Sequence, residues 1–187
     1  MTLTVILLIV VGVLILLAIG IYNQLVSLRN RVTQAFADID VQLKQRHDLI
    51  PNLVETVKGY AAHEKGTLEA VIQARGAALN AREGTAAQAQ AEGALTAALG
   101  RLIALAEAYP DLKANVNFQQ LSAELSDIEN KIAAARRFFN NAVNEYNTGI
   151  QQFPAVIFAD TLGFRPRDSF DLGEQRGALE QAPTVKF

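Results

Sequence analysis

The sequence contains no cysteine and no tryptophan, and it has only two histidines among its 187 residues. The absence of cysteine excludes disulfides, thiolate nucleophiles and cysteine-ligated metals. The formal net charge is only −2, so the chain lacks the basic surplus that is typical of nucleic-acid-binding domains. No polybasic cluster follows the apolar N-terminal run, so a specific site for anionic lipid is not indicated either. The composition therefore predicts no nucleic-acid partner.

The sequence also lacks the common catalytic signatures. His63-Glu64 begins an HExxH pattern, but the second histidine is missing, and neither a phosphate-binding glycine loop nor a GxSxG elbow occurs. His47 and His63 stand beside Asp48 and Glu64, which leaves a metal-dependent sensor or enzyme as one hypothesis. Neighbouring residues on a helix point in directions about 100° apart, so these pairs form no chelating face. We predict no enzymatic activity and no cofactor.

A long apolar run occupies residues 3–22, where Thr4 and Tyr22 carry the only polar side-chain groups. Twenty helical residues span about 30 Å, the thickness of the hydrocarbon core of a bilayer. About fifteen Val, Ile and Leu residues favour insertion by at most roughly 5–9 kcal/mol. A cleaved signal peptide is the alternative, but the run exceeds the ~7–15 residues of such a segment, and no basic residue precedes it. The sequence predicts a transmembrane helix with Tyr22 at the membrane interface.

The flanking charges predict an orientation. No Lys or Arg precedes the apolar run, whereas Arg29 and Arg31 follow it closely. The positive-inside rule then predicts a single-pass protein of the cell membrane with an external N-terminus and a cytoplasmic domain.

Helical periodicity dominates the rest of the chain. A stripe from Leu25 to Leu43 predicts one helix that leaves the membrane and runs to about His47 or Ile50. Pro51 fits the first turn of a new helix, which Asp48 would cap. An alanine-rich third helix follows a turn at residues 80–84.

The remainder of the chain predicts a fourth helix and a tail. A clean amphipathic run from Phe118 to Tyr146 predicts the fourth helix, which ends before Pro154. Long helices joined by short turns pack antiparallel. We therefore predict an all-α protein: an anchor at residues 1–22, an up-down bundle of about four long helices at 23–153, and an irregular tail at 154–187. The tail contains four phenylalanines, which we expect to pack on the bundle or on a neighbouring subunit: Phe158, Phe164, Phe170 and Phe187.

The densest polar cluster flanks Pro51. One interpretation is a salt-bridged rim of the bundle with a capped turn, and the other is an exposed docking surface for a partner. The spacing requires no specific ligand. The candidate docking residues are Asp40, Arg46, His47, Asp48, Asn52, Glu55 and Lys58. Glu124, Asp127 and Glu129 further along are interpreted as a solvated helix face.

The same region carries a family likeness. Residues 39–60 read IDVQLKQRHDLIPNLVETVKGY and closely resemble the LemA family. Later segments resemble that family in the same order, namely ARRFFN at 135–140, VNEYN at 143–147, Phe153-Pro154, Gly163-Phe164 and PTVKF at 183–187. Two positions depart from the pattern. Phe36 stands where members often have Trp, and Ser169-Phe170-Asp171 stands where they tend to have Tyr-Phe-Glu.

The resemblance implies a bacterial protein with one N-terminal transmembrane helix, an antiparallel helical bundle and no established enzymatic activity. It supplies no catalytic residues. Some relatives shape bacterial membranes and others are encoded beside membrane proteases. Two hypotheses follow: a scaffold that self-assembles into homo-oligomers on the bilayer, or an adaptor for another membrane protein such as a protease.

Overall fold

The computed structural model describes residues 2–82, 84 and 86–170. All regular structure in those residues is helical, which confirms the predicted all-α class with about four long helices. The elements are α1 (Thr2–Lys58), α2 (Lys65–Asn80), α3 (Ala86–Ala106), the single turn α4 (Pro110–Lys113), α5 (Val116–Gln151) and a 3₁₀ turn at Ala155–Ile157.

The predicted helix boundary at Pro51 is wrong, because α1 continues through this residue to Lys58. A proline inside a helix has no N–H for the carbonyl four residues earlier, which here belongs to His47. Arg75 replaces the missing donor, since its Nε donates a hydrogen bond of 2.8 Å to the His47 carbonyl oxygen. Asp48 therefore lies within α1 and caps no helix.

The remaining helix ends follow local signals in the sequence. A loop at residues 59–64 separates α1 from α2, so the predicted second helix is divided between them. Pro110 occupies the first turn of α4, where its missing N–H costs nothing. Asn115 caps α5, because its Oδ1 accepts a hydrogen bond of 2.9 Å from the Phe118 N–H.

The chain divides into two units, and both α1 and α5 contribute to each. Unit 1 comprises Met1–Ile39 and Ala135–Ser169. Its two helices run antiparallel, as the order of three contacts along them shows. The Leu28 side chain meets Gly149, Arg31 Nη1 lies 2.7 Å from Glu145 Oε2, and the rings of Phe36 and Phe139 lie 5.8 Å apart.

The first segment of α1 is long and apolar enough to cross a membrane, and none of its most apolar window is buried within the protein. A helix that packed in the core of a soluble domain would have that face covered. This segment instead leaves its Leu, Ile and Val side chains exposed, as an anchor in hydrocarbon requires.

Part of the tail packs on unit 1. Phe164 is buried, with its ring edge-on to Tyr22 at 5.7 Å and beneath the Arg29 guanidinium at 5.2 Å. Tyr146 and Asn147 of α5 hold the following backbone, because they donate to the carbonyls of Arg165 and Arg167 at 3.0 and 2.8 Å. Of the four tail phenylalanines, Phe164 packs within unit 1. Phe170 is also buried, Phe158 stays 42% exposed, and Phe187 lies outside the described residues.

Of the residues that the structure describes, unit 2 includes those between Asp40 and Ala134 and also Phe170. Within it α2 and α3 pack as an antiparallel hairpin, and the Tyr109 hydroxyl after α3 donates to Glu64 Oε1 before α2 at 3.0 Å. Its apolar core is built largely from small and branched side chains. The most deeply buried members include Ile50, Leu53, Val57, Val71, Leu95, Leu102 and Leu112.

Candidate functional site

A buried arginine lies at the centre of unit 2. Arg46 of α1 is only 1% exposed. Its Nη1 donates to Glu129 Oε1 of α5 at 2.7 Å and to Thr96 Oγ1 of α3 at 2.8 Å, and its Nη2 donates to Glu92 Oε2 of α3. One guanidinium therefore joins three helices. A planar fork with several donors suits this role better than an ammonium group would.

Glu92 also faces His47, whose Nε2 lies 3.1 Å from Oε1 of the carboxylate. Burial raises the pKa of Glu92, but the hydrogen bond with His47 and the positive charge of Arg46 outweigh it, so its pKa lies below the ordinary value. The carboxylate is thus held ionised inside the protein. A buried charge persists only when it is paired and hydrogen-bonded in this way.

The alanine-rich helix α3 places Glu92 in this position. Glu92 precedes Leu95, Leu99 and Leu102 by three, seven and ten residues, so it lies on the same helix face as these buried leucines. An acid inside an apolar stripe is the signal that could have identified it from the sequence. Glu129 is likewise not the solvated acid that the sequence suggested, because its side chain is 29% exposed and paired with Arg46.

A cavity of about 310 Å³ borders the His47–Glu92 pair. Asp40, Lys44 and Asp48 line it from α1, and Gln88 lines it from α3. No group of three or more His, Cys, Asp and Glu suited to a metal occurs in the part of the chain that the structure describes. The contacts around Arg46 and His47 fasten helices together, which is a structural role.

The other predicted docking residues lie at the surface of unit 2. Asp48, Asn52, Glu55 and Lys58 are exposed, and Lys58 Nζ pairs with Glu55 Oε1 at 3.2 Å. Asp48 and Asn52 also line an open groove of about 530 Å³ between α1 and α5. From α5 the groove is lined by Leu121, Glu124, Asp127, Ile128 and Lys131.

The predicted exposed cluster is therefore wrong for two of its members. Arg46 and His47 are buried because Glu92 and Glu129 pair with them across the interior of unit 2. Asp40 is half-buried at the cavity. The remaining residues of the cluster, Asp48, Asn52, Glu55 and Lys58, form a polar outer face of α1 rather than a helix junction.

The predicted interface residue Tyr22 is 43% exposed, at the end of the apolar segment. Its ring meets Phe164 and leaves the upstream apolar residues uncovered. An amphipathic aromatic ring in this place matches the aromatic belt of membrane helices.

Comparison with known proteins identifies the family. Residues 35–187 match the profile of the LemA family. The chain belongs to the LemA family.

Relatives of this LemA-family chain include magnetosome proteins. Magnetosome protein MamQ of Magnetospirillum gryphiswaldense is 26% identical over 174 residues, which cover 80% of this chain and 64% of that protein. Magnetosome protein MamQ 2 of Paramagnetospirillum magneticum is 24% identical over 174 residues, which again cover 80% of this chain and 64% of that protein. Protein LemA of Metamycoplasma hominis is 26% identical over 152 residues, which cover 81% of this chain and 69% of the relative. The chain thus spans less than two thirds of the length of the magnetosome relatives.

None of these names states a reaction. Together, the LemA-family match and the exposed apolar segment at the start of α1 indicate a membrane-associated protein. Of the two histidines, His47 contacts Glu92 and His63 is exposed on the loop before α2.

Proposed function

We propose that this LemA-family chain is a non-enzymatic scaffold, anchored by one helix in the bacterial cell membrane, which self-assembles and shapes or organises the bilayer. One observation carries the proposal: the anchor continues into the folded part of α1 without a break. In unit 1, the Arg31–Glu145 ion pair and the Phe36–Phe139 contact fasten that helix to α5. The continuous helix joins the anchor directly to the folded part of unit 1, which is the physical link that a membrane scaffold needs.

Exposed apolar residues of unit 2 support self-assembly. Ile72 and Leu79 of α2 are 57% and 53% exposed. They stand seven residues apart and therefore share one helix face. The family resemblance, which implies relatives that shape bacterial membranes, points in the same direction.

The mass of the full-length protein in mild detergent tests the proposal. We expect a discrete homo-oligomer by mass photometry across a range of concentrations. The double variant Ile72→Glu with Leu79→Glu should lower that mass, whereas the exposed neighbour Gln73→Glu should not. A strict monomer for the wild-type protein would refute self-assembly.

The acidic groove beside Asp48 favours a second candidate function. An adaptor for a membrane protease or another envelope machine would present this face to a basic partner segment. A photo-crosslinking residue at Asn52 should then capture a different membrane protein in cells, and Asp48→Lys with Glu124→Lys should abolish that product. Crosslinks that join only copies of this chain would count against the adaptor.

A further inference from the structure

The segment that follows α5 is apolar and exposed. In residues 153–162, here called the post-helix loop, Phe153, Val156 and Ile157 are 80%, 51% and 59% exposed. Asp160 carries the only charge in this loop. The buried residues Ala155 and Ala159 fix its backbone on unit 1, so the large side chains point outward from an ordered turn.

The loop lies beside the anchor rather than beside the water-exposed part of α1. Together they enclose an almost wholly apolar groove of about 550 Å³. Its walls run from Val11 to Ile21 on the anchor, with Phe153, Ile157 and Phe158 opposite. Ten helical residues rise about 15 Å, so the groove extends well into the half of the bilayer nearest Tyr22.

Polar groups occur on the other side of the loop, where unit 1 leaves the membrane. Phe164 packs against Tyr22 and Arg29, and the exposed residues Arg165 and Arg167 follow it. Arginine side chains at this level extend to headgroups and water. Along the chain, the apolar loop beside the anchor is therefore followed by Phe164, which packs on Tyr22, and then by the cations Arg165 and Arg167.

We propose that residues 153–162 form a second membrane-inserted element, which enters the same leaflet as the C-terminal end of the anchor, and that lipid acyl chains fill the groove between them. The occupant is lipid because one wall of the groove is the anchor itself, which hydrocarbon surrounds. Short apolar elements that lie in an interface enter it by about 5–10 Å. The loop enlarges the protein cross-section in one leaflet only. The inference rests on the membrane anchoring in the proposed function and adds to it a direct contact with lipid.

The absence of tryptophan from the chain makes a clean test available. Full-length Ile157→Trp would be reconstituted into phosphatidylcholine vesicles whose acyl chains carry bromine, a contact quencher of tryptophan fluorescence. Leu14→Trp, at a 59% exposed position of the anchor, is the control inside the bilayer. Phe138→Trp, at a 52% exposed position of α5, is the control in water. Phe153→Trp repeats the measurement at the most exposed aromatic residue of the loop.

We expect both loop tryptophans to be quenched by brominated lipid to a similar extent as Leu14→Trp, and to be shielded from aqueous acrylamide. Phe138→Trp should show the reverse. Loop tryptophans that behave like Phe138→Trp would overturn the proposal, and so would shielding from both quenchers, which would mean that protein covers the loop. If Leu14→Trp itself escapes brominated lipid, the anchor and the proposed function fail. Quenching at Leu14→Trp without quenching in the loop refutes this inference alone.

Discussion

At the scale of single residues, the paired charges in unit 2 are the most consequential feature of the structure. Arg46 and Glu92 are both nearly inaccessible to solvent. Removal of one partner from a buried pair leaves the other charge uncompensated and costs about 3–5 kcal/mol. The surface pairs of this chain, such as Lys113 with Glu107, are worth roughly 0–1 kcal/mol.

Glu92→Gln keeps the shape of the side chain and removes its charge. Arg46 retains Glu129 and Thr96, so we expect a loss of about 2–4 kcal/mol, near the low end for a buried pair. In thermal unfolding followed by circular dichroism, this corresponds to a fall in Tm on the order of 5–15 °C. Glu107→Gln, which breaks only a surface pair, is the control and should change Tm little. Equal effects of the two variants would contradict the assigned role of Glu92.

The same residue makes stability depend on pH. The pKa of Glu92 is lowered in the folded state, so its contribution is present above the unfolded pKa of about 4.3 and is lost as pH falls through the folded value. The wild-type protein should therefore lose stability on acidification below about pH 5 more steeply than Glu92→Gln. Parallel curves of Tm against pH for the two proteins would refute this linkage.

At the scale of elements, the continuity of α1 through Pro51 depends on a hydrogen bond from Arg75 of α2. Pro51 removes one hydrogen bond of the helix, and Arg75 of α2 supplies a donor to the freed carbonyl of His47. A proline inside a helix costs about 3 kcal/mol when nothing compensates it.

A double-mutant cycle isolates this compensation. Arg75→Met should lower stability by about 1–2 kcal/mol in the wild-type background, because it leaves a buried carbonyl unpaired. In the Pro51→Ala background the restored N–H can bond to that carbonyl, so Arg75→Met should cost measurably less. Strict additivity in chemical or thermal unfolding would show that the two residues do not share the His47 carbonyl.

Gly149 of α5 lies close to the Leu28 side chain of α1 in unit 1. A Cβ atom at Gly149 would lie 2.6 Å from Leu28 Cδ1, so a branched side chain there must displace Leu28. We expect Gly149→Val to lower stability by about 1–3 kcal/mol. Gly100→Ala is the matched control, since nothing lies within 4 Å of its Cβ, and it should stabilise α3 by up to ~1 kcal/mol. A stabilising Gly149→Val would contradict the contact.

At the scale of the whole molecule, the orientation in the membrane is the main prediction. Arg29 and Arg31 follow the anchor closely, so the positive-inside rule predicts a cytoplasmic C-terminus. A C-terminal green fluorescent protein fusion should fluoresce, and a C-terminal alkaline phosphatase fusion should be inactive. The opposite pair of results would reverse the topology and leave the fold unchanged.

Local patterns in the sequence were enough to predict the helical class, the apolar segment at the N-terminus, the break between α2 and α3, and the approximate extent of α5. These features depend on local periodicity and on helix-breaking residues such as Pro154, whose effects act within a few neighbours. The resemblance to the LemA family could also be recognised from the sequence, since it lies in contiguous motifs of the chain.

Tertiary contacts set the path of α1 through Pro51, the burial of Arg46 and His47, and the position of the post-helix loop beside the anchor. Each depends on partners far away in the sequence. Arg75 lies 28 residues after His47, and Glu92 and Glu129 lie 46 and 83 residues after Arg46. Arg46 and His47 look solvated in sequence because pairing across helices leaves no local pattern. Their burial follows from contacts with Glu92 and Glu129 on other helices, which no helical period encodes.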